Sequence, residues 1–351
     1  MSKRSEESKK RLHVIVLIIL LSSIILVSST YAWFSTQKDI TLTNLKGTVQ
    51  VSEGLEVSID GELWDNEIDL EQLKHNGNSV IRPDELLPAS STGKFTGKYM
   101  QLFRGTLRKK IQLSEIKQCK EPVPVNMEIA NYEYPSYIAF DMYLKNTNRK
   151  DDPTVLQLNK NSVVNAISDA EGGNEKAGLQ NAIRVGFAKY SGVMDTLSTK
   201  SQILAKDFGP IEKVAIWEPN SKVHADYVVT NNNKSPTHPN FTKNQEIETY
   251  GLLPTAVTGS VSNVYADETH NELQQTVKTN SNDKKTAVEG VVNLKEANAA
   301  RKDFTIPANQ ITKIRVYLWV EGGDIDCINY ASYGGGVNAT IGLIKDAPIG
   351  K

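Results

Sequence analysis

Cysteine is almost absent from this chain: Cys119 and Cys327 are the only two in 351 residues. At most one disulfide can form within the chain. It would close a loop of about 208 residues and contribute roughly 4–5 kcal/mol in the chain-entropy model. The alternative is a pair of buried thiols. Neither cysteine has a Cys or His at ligand spacing, so no local metal site is assigned. An excess of charge of one sign is also absent, with 40 basic residues against 41 acidic. The longest basic run after residue 35 is Arg108-Lys109-Lys110, and it does not support a nucleic-acid surface. There is no H-E-x-x-H, no G-x-S-x-G and no P-loop. The five histidines, His13, His75, His224, His238 and His270, are scattered. No catalytic residue, metal or cofactor is therefore assigned. No repeat of fixed period is present, which argues against a solenoid or propeller.

One long apolar run is present, and it lies at the start. The basic head Lys3-Arg4 and Lys9-Lys10-Arg11 precedes Leu12 to Val27, where thirteen of sixteen residues are strongly apolar. A basic flank followed by an apolar segment is an export signal, with the flank held on the cytoplasmic side. Small side chains at Thr30 and Ala32 fit signal-peptidase cleavage between Ala32 and Trp33. An uncleaved anchor is the alternative, because the run extends toward spanning length through Ala32. Cleavage would remove five basic and two acidic residues and leave a net charge near −4. No acid lies inside the run and Lys10-Arg11 stand before it, which disfavours a type IV pilin leader.

The motif Thr30-Tyr31-Ala32-Trp33-Phe34-Ser35 resembles the SipW-dependent signal peptides of the TasA and camelysin (CalY) family of Gram-positive bacteria. In that family a T-aromatic-A-aromatic-F-S/N pattern straddles the cut. Asp usually follows the Ser; Thr36 stands there in this chain. Leu45-Lys-Gly-Thr-Val-Gln-Val-Ser52 is a looser likeness of the family's GTLDLS-like segment. The resemblance implies a SipW-type signal peptidase as partner, a secreted, cell-surface or biofilm-matrix location, and self-association. Contact with the membrane would be through the N-terminal segment alone. The new N-terminus freed by cleavage would serve as a strand donor, and Trp33 to Val51 is the segment placed to do so. Camelysin-like proteins are also classed as peptidases, but no zinc motif carries that activity here.

The rest of the chain alternates like half-buried strands. The clearest are Tyr137 to Asn146, with Ile138, Phe140, Met142 and Leu144 on one face, and Lys313 to Glu321, with Ile314, Val316, Leu318 and Val320 on one face. Further strands are expected at Ile40–Thr43, Leu55–Ile59, on either side of Gly105, at Val123–Ile129, Asn181–Tyr190, Val214–Trp217, Asp303–Ile306 and Val337–Ile344. Helical spacing suggests a short helix within Asp65–Leu73, and Asn161–Lys176 reads as a helix or loop excursion. The pattern predicts an all-β fold: an antiparallel, jelly-roll-like sandwich with one or two helical excursions and long loops, preceded by an N-terminal apolar signal helix. The expected division is a signal at 1–32 and one domain at 33–351, with a polar insertion about 220–283 read as surface loops.

One acidic cluster stands out. Glu321, Asp324 and Asp326 sit on a Gly-rich turn where three carboxylates could hold Ca²⁺, although the EF-hand frame is missing. A solvated turn after a strand is the simpler expectation. Trp319-Val-Glu-Gly-Gly-Asp-Ile-Asp-Cys327 also resembles a W-[LIV]-E-G-x-D-x-x-C phrase of related exported proteins, which implies a core Trp319 and a Cys327 placed to pair. Two functions compete: a structural protein assembling by strand addition, and an exported binding module or peptidase-like enzyme, for which 13 Tyr and 4 Trp offer sugar-binding surfaces.

Overall fold

The structure is a computed structural model. It describes residues 45–70, 73, 86, 88–96, 98–104, 111–112, 117–118, 137–147, 153–159, 161–167, 178–232, 242–244, 250–252, 263–264, 291–293, 304–322, 324, 326–327 and 336–345. The chain divides into two compact units, residues 1–38 and 39–351, and every described residue belongs to the second. The apolar segment, the Thr30–Ser35 motif, Cys119 and the strands expected at Ile40–Thr43 and Val123–Ile129 lie outside the described residues. Among the described residues no helix is long and apolar enough to cross a membrane.

The chain is mostly β. In order, the strands are β1 (Leu45–Val51), β2 (Leu55–Ser58), β3 (Glu67–Asp69), β4 (Ala89–Thr96), β5 (Tyr99–Arg104), β6 (Ile111–Gln112), β7 (Lys117–Gln118), β8 (Ile138–Asn146) and β9 (Thr154–Leu158). They continue with β10 (Val163–Ile167), β11 (Ile183–Asp195), β12 (Ile211–Trp217), β13 (Tyr250–Leu252), β14 (Asn263–Val264), β15 (Val291–Asn293), β16 (Thr305–Ile306), β17 (Gln310–Val320) and β18 (Gly336–Lys345). Two short helices are described, α1 (Lys200–Ala205) and α2 (Asp226–Asn232).

Two large sheets dominate. The first runs β12-β11-β17-β8-β2 and is antiparallel throughout. The second runs β16-β9-β18-β1-β3, with β10 also against β18. Its β1–β18 pair is parallel, so the first described strand lies beside the last. Gly47 makes that pairing possible: a Cβ there would fall 2.0 Å from the Ala339 carbonyl oxygen. One core joins the two sheets. Ile138, Phe140, Met142 and Leu144 of β8 meet Ile314, Val316, Leu318 and Val320 of β17, and Val49, Ala339, Ile341 and Leu343 face them from the other sheet. Each of these eight β8 and β17 side chains was expected on one face, and each is buried there.

The first sheet is buried on its other face as well. Ala139, Tyr143, Ala188, Tyr190, Tyr317 and Trp319 form a second core with Ala89 of β4, Met100 and Leu102 of β5, and Ile203 of α1. A third sheet, β4-β5-β7, supplies part of this cover. The first sheet is therefore the middle layer, and β17 is buried from Ile314 to Val320 without a break.

Three expectations are corrected. The helix suggested within Asp65–Leu73 holds only at its end: Glu67–Asp69 is strand β3, with Ile68 buried opposite Val49 between exposed Glu67 and Asp69, while Leu70 and Leu73 are in 3-10 conformation. Asn161–Lys176 contains strand β10, paired to β18, instead of a helix or loop. The insertion about 220–283 is more than surface loops. His224, Ala225 and Val228 are buried, and α2, β13 and β14 fall within it.

Candidate functional site

A concentration of buried charge sits where β17 ends: Arg184, Glu321, Asp324 and Asp326. Arg184 of β11 lies directly opposite Trp319 of β17, on the covered face of the middle sheet. Its guanidinium is fully buried. Nε donates to Glu218 Oε1 at 3.2 Å, Nη1 donates to the carbonyls of Asn181 and Ile183 at 3.0 and 2.8 Å, and Nη2 donates to Asp324 Oδ2. Burial alone would favour the neutral form. Asp324, Glu218 and Glu321 outweigh it and hold the group charged, with its pKa above the ordinary value.

The acid turn wraps around this cation. Glu321 Oε2 accepts from Trp319 Nε1 at 3.0 Å and Oε1 from Ser90 Oγ at 2.6 Å. Its backbone N–H donates to the Ala182 carbonyl at 2.8 Å. Asp324 Oδ1 accepts from the Asp326 amide at 2.8 Å. Asp326 Oδ2 lies 2.7 Å from His224 Nδ1, and Oδ1 accepts from the Ala225 amide at 2.9 Å. Burial pushes the Asp326 pKa up, and the neighbouring Asp324 charge adds to it; the His224 contact and the Ala225 amide act against the rise. Gly178 permits this packing. It sits at φ +85°, and a Cβ there would meet Ala225 Cβ at 2.8 Å and Asp326 Oδ1 at 3.1 Å.

The solvated turn expected at Glu321–Asp326 is thus overturned. Glu321 and Asp326 are fully buried and Asp324 is nearly so. The Ca²⁺ candidates Glu321, Asp324 and Asp326 are brought into one cluster, but each carboxylate is directed at a protein donor. Among the described residues no three His, Cys, Asp or Glu side chains are arranged to hold a metal ion. Trp319 is buried. Cys327 is buried in the core between the two large sheets, and its expected partner Cys119 lies outside the described residues.

A second polar group occupies the same covered face. Asp141 of β8 is paired across the strands with Arg315 at 2.8 Å and with Lys313 at 2.7 Å. Lys313 Nζ stands 4.7 Å above the Tyr190 ring. Burial, followed by the Asp141 charge, pushes the Tyr143 phenol well above its ordinary pKa.

A surface groove of about 670 Å³ is lined by Gly61, Glu62, Trp64, Ser198, Thr199, Lys200, Ser201 and Leu204. Lys200 Nζ is paired there with Glu62 at 2.7 Å. Trp64 is capped on one face by Lys145 Nζ at 4.1 Å.

Sequence reasoning missed Arg184, Glu218 and His224. Arg184 sits in an alternating strand, where an outward cation signals solvent. His224 stands in a polar stretch with no other His or Cys near it in sequence. Only α1 had a readable marker: Thr199 and Gln202 have capping-box spacing, and the Thr199 amide donates to Gln202 Oε1 at 2.8 Å. Comparison with protein-family models, curated proteins and solved structures returned no match.

Proposed function

We propose that this chain is an exported structural protein of the cell surface or extracellular matrix, similar to the TasA and camelysin family, that self-associates by strand addition. The carrying observation is the order of parts. A basic, apolar leader ends in Thr30–Ser35, and the next described element is a strand built into a β sandwich. The buried charges support the same reading. They tie strands and turns to one another.

Under this reading the donor is shorter than Trp33–Val51. Within Trp33–Val51, residues Leu45–Val51 pair with β18 on one side, Thr48–Gln50 pair with β3 on the other, and Val49 is fully buried. That part is committed to its own sheet, so the donor under this reading is residues 33–44. Sequencing the N-terminus of the exported protein should find Trp33 first. Electron microscopy of the same material should show fibres of repeating subunits. Deleting residues 33–44 should abolish the fibres and leave the monomer folded. A stable monomer with residues 33–44 intact would overturn the reading.

The groove beside Trp64 is the specific observation that favours a binding module. A glycan or peptide that binds there should lose its affinity on Trp64→Ala, with fibres unaffected.

A further inference from the structure

The fold buries four carboxylates, Glu218, Glu321, Asp324 and Asp326, around one permanent cation, Arg184. The His224 imidazole contacts one of them, Asp326, through Nδ1 at 2.7 Å. It is 4% exposed and its Asp326 partner 1%. The charged groups at the rim, Asp226 and Lys243, are exposed and paired with each other at 2.8 Å. From this geometry we propose that His224 and Asp326 form a proton-held latch that fastens the start of the 220–283 insertion to the end of β17.

The reasoning is one of charge and burial. With one proton between imidazole and carboxylate the pair is neutral as a whole. Without it the pair carries −1. Burial disfavours the charged state of the pair, and the net negative charge of Glu218, Glu321 and Asp324 against Arg184 disfavours it further. Both effects raise the pair's proton affinity above that of a solvated histidine, near 6.5. The raised Asp326 pKa is in the same direction. The sign follows. The folded cluster binds a proton that the opened cluster releases to solvent near neutrality. The latch is therefore firm at and below that point and weakens as pH rises through the folded pair's titration.

What the latch holds is defined by its hydrogen bonds. The Ala225 amide donates to Asp326, the Asp326 amide to Asp324, and the Cys327 amide to the Asp324 carbonyl at 3.1 Å. The His224 amide donates to the Lys243 carbonyl at 3.0 Å. Opening frees these amides while the paired strands of the middle sheet stay closed.

Hydrogen exchange of the exported protein from pH 6 to 9 tests this, with each amide corrected for its intrinsic rate. The opening constants at Ala225, Asp326 and Cys327 should rise by up to about tenfold per pH unit through the pair's titration, and amides of β8 should not follow. In His224→Gln, which keeps a donor but cannot titrate, the rise should vanish. A flat response in the native protein, or a rise that persists in His224→Gln, would overturn the latch. If that variant does not fold, the native His224 ring decides by NMR titration: a midpoint above the ordinary value supports the proposal, and one at or below it defeats it.

Discussion

The two faces of the middle sheet are both buried, yet they are built differently. The face toward the β1–β18 sheet has an apolar centre, Phe140, Met142, Val316 and Leu318, with Asn146, Thr312 and Lys189 buried toward its edges. The face under β4, β5 and α1 mixes large aromatics with ions: Trp319 beside Arg184, and Tyr317 and Tyr143 beside Arg315 and Asp141. Apolar packing is non-directional and tolerates exchange of similar volumes. A buried ion must meet specific partners at hydrogen-bonding distance or it destabilises the fold. The first face therefore supplies cohesion. We read the second as a source of register and uniqueness, because Arg184 and Asp141 are satisfied only when particular strands and turns are in place.

The largest expected effect comes from breaking the second face. Arg184→Ala leaves Asp324 and Glu218 buried without their cation and should cost about 3–5 kcal/mol, seen as a lower urea midpoint with an unchanged slope. Arg184→Lys should recover little, because an ammonium cannot reproduce the fork to Glu218, Asp324 and two carbonyls. Phe140→Ala should cost a comparable 3–5 kcal/mol through its cavity. Phe140→Leu, in contrast, should cost clearly less, because the aliphatic neighbours can repack around a smaller apolar side chain. Full recovery by Arg184→Lys would remove the distinction between the faces.

The ion group at Asp141 sharpens the same contrast. Asp141→Ala removes the carboxylate paired with Arg315 and Lys313 and should cost about 3 kcal/mol. Asp141→Leu combined with Arg315→Met removes both charges, leaving Lys313 to reach solvent, and should cost less than the single change. Equal or greater loss in the double variant would mean that the pair contributes net stability and not only specificity.

The first face was legible in the sequence because period-2 alternation in Ile138–Leu144 and Ile314–Val320 reports a buried side directly. The second was not, because alternation says which residues oppose the core and never says that another layer covers them. Arg184, Asp141 and Arg315 all read as solvent-facing. The cover itself was hard to see: β4 is Ala-Ser-Ser-Thr-Gly-Lys-Phe-Thr, a loop-like composition, yet its Ser90 serves Glu321. The acid turn was misread for the same reason. Carboxylates beside glycines signal exposure unless a cation arrives from afar, and Arg184 is 140 residues from Asp324. The jelly-roll path in particular has no support from the described pairings, and the parallel β1–β18 pair is a non-local contact that no local pattern announces.

The smallest effect tests where the cover begins. Helix α1 contributes Ile203 to the second core, and Gly61 packs against that side chain. The helix is only six residues long, so its own hydrogen bonds hold it weakly. Its start depends on Thr199, whose hydroxyl as well as its backbone amide donates to Gln202 Oε1, at 3.1 and 2.8 Å. Thr199→Ala should cost about 1 kcal/mol, because a shortened helix relaxes its hold on Ile203 without opening the sheet beneath. Ile203→Ala removes a fully buried side chain and should cost about 2–4 kcal/mol. If the two changes are made together, their costs should sum to less than the separate losses, since a helix that no longer seats Ile203 has less to lose from its truncation. Strict additivity would show that α1 keeps its place without its cap, and that the cover of the second face is held by β4 and β5 alone.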